Sequence, residues 1–590
     1  ATDAQADAHA RAQVRDWPSF AAALRRADAL HARPRADRWS EEIEDATCKR
    51  SKGWNMFADF LRDTRYAIRQ LAKNPGFTAV AVLTLAFGIG ANSAIFSVVN
   101  GVLLRPLPYP DPDSLVRVYE VVPQYGTFAV APANFFDWRE QNTVFERIAM
   151  YNTSSVSYSE GEIPERIVNA TVSWDTFDLL RAQPMLGRTF TAEEDAPGKN
   201  NVIILSYGMW QRLFGGDRSV LGRAVKLNNA MSTIIGVMPS GFYFPTRDAQ
   251  LWSPIAINRA NATRGGHYLG VIARLNKGVP VEQAGAEMKA IATRLAQQYP
   301  ASNAGESAEV MTLHEQVVGD VRPALLTLLA AVGLVVLIAC GNVANLLLVR
   351  ASVRQKEIAV RTALGAGRRR LMLQMLAEST VLALAGGALG LLLAYAAIKP
   401  LQTLSAGSVP RVEDVAIDGS VLAFTLALAL FTGVVFGFVP AWQASRANLS
   451  EVLKEGGRAS ASSGSRWLRN TLVVAEVALS LVLLVGASLL LRSFAKLTNV
   501  DPGFRAENVL AFRVALPRAS YPQPQNQIAF YDGLLRKLES LPQVTSAGMT
   551  QTLPLQGHYS LSFLQQGRPP LPPAEQPSAN YRAISPRYFE

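Results

Sequence analysis

Cysteine and histidine are scarce in this chain. Its 590 residues contain two cysteines, Cys48 and Cys340, and five histidines, His9, His31, His267, His314 and His558. Two cysteines so far apart make neither a disulfide framework nor a metal cluster. The pair His314-Glu315 lacks the second histidine that a zinc hydrolase needs on the same helix face. No G-x-x-x-x-G-K-[ST] cradle occurs either: Gly198-Lys199 is followed by Asn and has no upstream glycine at the right distance. Asp, Ser and His never fall into a triad-like pattern. No catalytic, cofactor-binding or metal-binding residue is therefore assigned. Charge is also sparse, at 18% against about 25% in ordinary soluble domains. Apolar residues reach 49% and the mean hydropathy is +0.11, which excludes disorder and points at a membrane. The formal charge of +11 would suit nucleic acid in a soluble chain. Here the basic residues sit beside apolar runs, so the implied partner is membrane lipid and not nucleic acid.

A bilayer core about 30 Å thick requires roughly 20 apolar helical residues. Five stretches meet that length, at 77–104, 325–349, 380–398, 421–442 and 471–491. The first lacks a small-residue cleavage site and is expected to stay as an anchor. Short loops rich in Lys and Arg remain cytoplasmic. The second-to-third loop, 350–379, carries Arg350, Arg354, Lys356, Arg361, Arg368, Arg369 and Arg370, with Glu357 as the acid before its last turn. The third-to-fourth loop, 399–420, sets Lys399 and Arg411 against Glu413, Asp414 and Asp418. The linker 443–470 has Arg446, Lys454, Arg458, Arg466 and Arg469. This pattern puts the N-terminus, 350–379 and 443–470 inside, and 105–324, 399–420 and 492–590 outside.

The large outer segment, 105–324, alternates strand-like runs such as Val202-Ile-Ile-Leu and Ser232-Thr-Ile-Ile-Gly-Val with amphipathic stretches, notably 281–299 between Pro280 and Pro300. It reads as a mixed α/β domain. The chain then begins to repeat itself. Residues 169–178 and 581–590 share Ser at the fifth place, Phe at the ninth and an acid at the tenth. Each follows an outer segment launched by a membrane helix with a basic inner flank, so the fifth helix resembles a second copy of the first. The expected fold is an α-helical membrane bundle with a large extracytoplasmic mixed α/β domain, internally duplicated, the second copy incomplete. Residues 1–55 read as an extension ahead of a cytoplasmic amphipathic segment at 56–76, and roughly 260 further residues are expected after Glu590.

Small residues recur on the membrane helices at a spacing that lets backbones approach: Gly90 and Ala94, Gly386 and Gly390, Gly433 and Gly437. Three polar residues stand in apolar surroundings: Asn342, Asn345 and Glu476. Glu476 fits either an interface-facing acid or a buried contact inside a bundle, with an ion site as a weaker reading.

The inner loop is the sharpest local feature. Ile358, Arg361 and Leu364 recur at helical spacing, Gly365 and Gly367 break the pattern, and Arg368 and Arg369 follow. This reads as helix, hinge and helix at the membrane surface, the alternative being a loop whose arginines only set topology and touch anionic lipid. The loop resembles the cytoplasmic segment of FtsX-like ABC permeases. Asn74-Pro-Gly-Phe-Thr-Ala-Val-Ala, Leu104-Arg-Pro-Leu-Pro-Tyr-Pro-Asp and Leu472-Val-Val-Ala-Glu-Val-Ala resemble MacB-like permeases of a duplicated branch, and the resemblance runs over 56–590. It implies a bacterial inner-membrane permease without a cofactor, whose inner loop (Arg354, Lys356, Glu357, Ile358, Arg361, Leu364, Gly365, Gly367, Arg368 and Arg369) docks a separate ATPase. Motion would pass through stiff helices to the outer domains, for export of peptides, drugs or lipoproteins, with a periplasmic adaptor as a further partner. The fused ATPase of macrolide exporters is absent from these residues. The other reading from the same resemblance is a signalling scaffold that regulates a cell-wall hydrolase and transports nothing.

Overall fold

The computed structural model describes residues 62–590 apart from 123–125, 161–163, 355–356, 358–359, 362–366, 406–408, 446–462, 506, 517–519, 557–558, 570, 572–575 and 590. Two compact bodies result. Among the described residues, one is helical and takes in 62–98, Leu328–Leu404 and Val415–Ala495; the other holds Val99–Thr327, Ser405–Asp414 and Lys496–Glu590.

The helical body begins with α1 (62–72), which stops at Lys73-Asn74 because Pro75 restricts the residue before it and opens a new helix at its own fixed φ. α2 (Pro75–Val99) continues through a π-helical turn, Asn100–Leu104. After the outer domain come α6 (Arg322–Val353), α7 (Arg368–Ser405), α8 (Gly419–Ser445) and α9 (Ser463–Thr498). Each of α2 and α6 to α9 is long and apolar enough to cross a membrane. Leu85, Ile89, Val336, Cys340, Val343, Leu382, Ala383 and Ala429 form the shared core of α2, α6, α7 and α8. α9 stays almost bare on every side. One boundary departs from the sequence reading. α7 runs unbroken for 38 residues, so Arg368 to Glu378 add about three turns to the third apolar helix and do not form a separate surface helix. A hydropathy window sees only the apolar part of a helix, whereas the backbone ladder ignores polarity.

The outer domain is one mixed sheet of eleven strands: β1 (Leu115–Val122), β2 (Gly126–Phe128), β3 (Phe145–Tyr158), β4 (Glu165–Val172), β5 (Leu186–Gly187), β6 (Val202–Leu205), β7 (Ala224–Leu227), β8 (Ala230–Val237), β9 (Leu251–Pro254), β10 (Gly270–Leu275) and β11 (Ser307–Thr312). Their main order is β11-β1-β10-β3-β4-β9-β6-β8-β5, with β2 on β1 and β7 bridging β3 and β8. β3 is long enough to pair β10 with its first half and β4 with its second, which joins the two ends of the sheet. The β4–β9 and β6–β8 pairs are parallel. Helices α3 (Pro132–Gln141), α4 (Tyr207–Phe214) and α5 (Val281–Gln298) cover the sheet. α5 buries Ala284, Met288, Ile291, Ala292 and Leu295, a single helical stripe, against Val271, Ala273 and Leu275 of β10. Ile272, between them on the strand, points into a second core with Trp252 and Phe177. Arg274 is wholly buried because its guanidinium donates to Leu179 O (2.7 Å), Asp111 O (3.0 Å) and Ser114 Oγ (2.5 Å).

Residues 499–590 contribute α10 (Pro524–Glu539) and a hairpin of β12 (Tyr559–Ser562) and β13 (Ser578–Tyr581). One local arrangement occurs in both outer segments. Ser173 donates its backbone N–H to Met150 O (3.0 Å) and accepts at Oγ from Met150 N (2.9 Å). Ser585 does the same with Met549, at 2.9 Å for each bond. Both serines occupy the fifth place of the repeated ten-residue segment.

Candidate functional site: the inner loop and its helical seat

Arg354 leaves the end of α6 and turns back onto α7. Its Nη1 lies 3.0 Å from Glu378 Oε2 and 3.2 Å from Oε1, with the two side chains 18% and 7% exposed. Such a pair is worth little more than an apolar replacement while intact, but losing one partner strands a charge, at about 3–5 kcal/mol. Glu357 is met by two arginines, Arg361 at 2.6 Å and Arg354 at 3.7 Å. Arg361 also donates from Nη2 to the Tyr66 hydroxyl (2.8 Å) on α1, its guanidinium 5.4 Å from that ring. The Tyr66 hydrogen bond raises the Arg361 pKa further, keeping it charged. Arg370 pairs with Asp63 of α1 at 2.7 Å, and Arg350 donates to Gln70 O and lies over Phe77. The inner loop is thus seated between α1 and the first turns of α7.

Of the ten loop residues singled out above, Arg354, Glu357 and Arg361 come together in this seat. Gly367, Arg368 and Arg369 are exposed at the start of α7. Lys356, Ile358, Leu364 and Gly365 lie outside the described residues. Sequence reasoning passed over Asp63, Tyr66 and Glu378. Glu378 carried a signal, being an acid at the edge of an apolar run opposite a stretch of arginines; Tyr66 carried none.

The glycines lie at helix crossings. A Cβ on Gly90 would stand 2.8 Å from Gly390 O, and one on Gly390 would stand 2.8 Å from Ala86 O and Gly90 N, so α2 and α7 touch backbone to backbone. Gly386 meets Leu85 Cβ at 2.6 Å on the same seam. Gly433 faces Thr380 Cα at 2.9 Å and Gly437 faces Ser379, which places α8 on α7; the Ser379 hydroxyl also donates to Gly433 O (2.8 Å). Ala94 is buried on α2. Asn345 Nδ2 donates to Glu476 Oε1 (3.1 Å), and Gly341, one turn earlier, leaves room for that carboxyl. Asn342 is exposed and takes no part. Asn92, which donates to Val332 O (2.6 Å), and Ser93, bonded to Thr425 (2.8 Å), were missed because single small polar residues are common in such helices.

The outer domain holds a second polar cluster. Glu120 on β1 bonds His267 Nδ1 and accepts from Asn134 Nδ2 (2.7 Å) and Ala131 N (3.2 Å). Glu306, ahead of β11, lies 3.8 Å from the other ring nitrogen. Arg264 pairs with Asp137 at 2.6 Å beside it. Burial pulls the His267 imidazole down, but the bond to Glu120 and the charges of Glu120 and Glu306 outweigh it and hold the ring above its ordinary pKa. Burial and the Glu120 charge push Glu306 up to about 7, against His267 and Arg264. Among the described residues no group of three or more His, Cys, Asp or Glu could hold a metal ion.

A large mixed α/β domain inserted between the first two of several long apolar helices, with a basic loop seated between the second and third, is the organisation of a membrane permease. Residues 78–291 match the family model of the MacB-like periplasmic core domain, and residues 329–449 match that of the FtsX-like permease C-terminal region. Together these cover more than half of the chain, which belongs to the FtsX/MacB-like ABC transporter permeases. The macrolide export ATP-binding/permease protein MacB of Chromobacterium violaceum is 25% identical over 438 residues, 70% of this chain and 64% of that protein. The probable syringafactin export ATP-binding/permease protein SyfD of Pseudomonas syringae pv. tomato is 29% identical over 287 residues, 48% of this chain and 41% of that protein. The chain thus spans less than two thirds of either relative, and the matched part is the permease part. The crystal structure of the periplasmic region of MacB from Actinobacillus actinomycetemcomitans covers 39% of this chain and 97% of its own, at 15% identity and a TM-score of 0.28.

Proposed function

We propose that this chain is the permease subunit of an ABC transporter of the FtsX/MacB type, in a bacterial inner membrane with its N-terminal side and inner loop in the cytoplasm. A separate ATPase subunit docks on the inner loop, and its nucleotide-driven motion passes through α2, α6, α7 and α8 to the extracytoplasmic domain. The observation that carries this reading is the seat itself. Arg354–Glu378 and Arg361–Tyr66 tie the loop to α7 and α1, and Arg370–Asp63 ties those two helices to each other. A push on the loop therefore reaches α1 and α7 as one body. A loop that served only as a topology signal would need its charges and none of these contacts. Peptides, drugs or lipoproteins handled outside the membrane are the expected cargo class, and a periplasmic adaptor a further partner. The recurring Ser173–Met150 and Ser585–Met549 arrangement supports an internal duplication, with 492–590 the start of a second core domain.

The test replaces Gly365 and Gly367 by Leu, which keeps every positive charge while removing the break between the two loop halves. The variant is expressed with an ATPase encoded beside the gene, and membrane insertion, co-purification and ATPase stimulation are measured. Normal insertion with lost co-purification or lost stimulation supports docking. Parental behaviour in all three overturns it. Glu357 reversal is the weaker test, because that acid is already held by Arg354 and Arg361 within the chain. Cargo efflux from proteoliposomes separates a transporter from a scaffold that binds a hydrolase and moves nothing.

A further inference from the structure

The short connection between α7 and α8 does not pack as a helix-to-helix turn. Its residues 405 and 409–414 belong to the compact outer body, although the chain on either side is apolar helix. Arg411 explains why. Held at φ +59°, with a side chain only 4% exposed, it donates from Nη1 to Arg105 O (2.7 Å) and from Nη2 to Pro106 O (3.1 Å). Those carbonyls lie where the chain leaves the π-helical end of α2 for the outer domain. A guanidinium fork fits two neighbouring carbonyls, which a lysine ammonium cannot span. Its Nε also reaches Asp414 Oδ2 (3.3 Å), closing the strap on itself. From the domain side, Arg247 grips the same short turn, at 2.6 Å from Asp414 Oδ1 and 3.3 Å from Glu413 Oε2. The Arg247 guanidinium is stacked 4.2 Å from the Tyr243 ring, and Tyr243 O accepts from the buried Tyr109 hydroxyl at 2.6 Å. Tyr109 in turn lies in the domain core.

We infer that 409–414 is a mechanical strap, a further hydrogen-bonded link by which the α7–α8 hairpin moves the outer domain, with Arg411 and Arg247 as its positioning residues. The inference rests on the reading that helix motion is passed outward, and adds the route. Chain continuity alone already links the two bodies where α2 enters the domain, where α6 leaves it and where α9 runs on into 496–590. A turn that merely joined two helices would have no reason to spend a buried arginine on the carbonyls of Arg105 and Pro106. Because the strap follows α7, which carries Glu378 of the inner seat near its other end, one continuous helix, with Pro400 in its last turns, runs between loop and strap.

The test needs no ATPase, so its failure is distinct from failure of the docking experiment. Spin labels are placed at the exposed Met231 of β8 and Leu422 of α8 in a Cys48→Ser background, Cys340 being buried. Double electron–electron resonance is recorded on the full chain in lipid nanodiscs. Arg411→Gln and, separately, Glu413→Gln with Asp414→Asn are expected to widen the distance distribution while the thermal midpoint of the outer domain stays at the parental value. Arg411→Lys should widen it nearly as much as Arg411→Gln, because charge without the fork does not hold two carbonyls. Glu413 and Asp414 are partly exposed, so the second variant remains measurable if Arg411→Gln fails to fold. A distribution as narrow as the parent's in the acid-pair variant, or a widening that only tracks a falling midpoint, overturns the strap.

Discussion

Acidification from pH 8 to 6 should stabilise the outer α/β domain, and Glu306 should be the main reason. Its carboxyl stands at about 7 in the folded protein against 4.5 ordinarily, driven by burial and by Glu120. Folding therefore takes up a proton in the window between those values. A carboxylate with a raised pKa penalises the folded state above about pH 7 and releases that penalty as the pH falls toward 4.5. His267, also raised, has the same sign: its contribution is complete below its ordinary 6.5 and is lost as pH rises through the folded value. At about 1.4 kcal/mol per pH unit, the Glu306 gap corresponds to at most about 3.5 kcal/mol. Since Glu306 is 11% exposed and coupled to His267, about 1–2 kcal/mol is the working expectation between pH 8 and 6. For a domain of this size that is a rise in thermal midpoint of about 2–8 °C. The assay is thermal unfolding of the full protein in nanodiscs, followed by near-ultraviolet circular dichroism, at pH 8, 7 and 6. Glu306→Gln carries a neutral amide of the same shape, so it should match or exceed the parent at pH 8 and lose most of the pH slope. An unchanged slope in Glu306→Gln, or a parent that is less stable at pH 6 than at pH 8, refutes the reasoning.

Two further expectations concern the helical body. Arg354→Ala or Glu378→Ala should cost about 3–5 kcal/mol through the stranded charge, whereas Arg354→Met with Glu378→Leu should restore much of the loss, read as thermal stability in detergent. Glu476→Gln keeps an oxygen acceptor for Asn345 and should hold α9 in place, while Glu476→Leu should lose a contact of about 0.6–1.7 kcal/mol and Gly341→Leu should displace the helix outright, measured by disulfide cross-linking between α6 and α9.

Much of the helical architecture is written locally. Long apolar runs, a proline at position 75, and glycines four apart on α7 and α8 act through short-range rules of hydropathy, backbone restriction and steric volume. Strands with strong alternation or a continuous apolar run, such as β6 and the tail of β8, are legible for the same reason. The inner loop could be picked out by charge and glycine spacing, because those properties belong to neighbouring residues. What the loop touches could not. Tyr66 and Arg361 are 295 residues apart, and Arg354 finds Glu378 only because α7 folds back to pack beside α6. The same limit hid Arg411: in sequence it is one arginine in a short acidic loop, and its role appears only when Arg105 and Pro106, 305 or more residues away, present their carbonyls. His267 and Glu306 likewise read as ordinary surface residues until the sheet sets β1, β10 and β11 side by side. Local composition decides which segments become helix, strand or turn. Which charges become neighbours, and hence which are buried and paired, is set by packing between distant segments, and that alone converts a topology signal into a candidate seat, a pH-sensitive cluster and a strap.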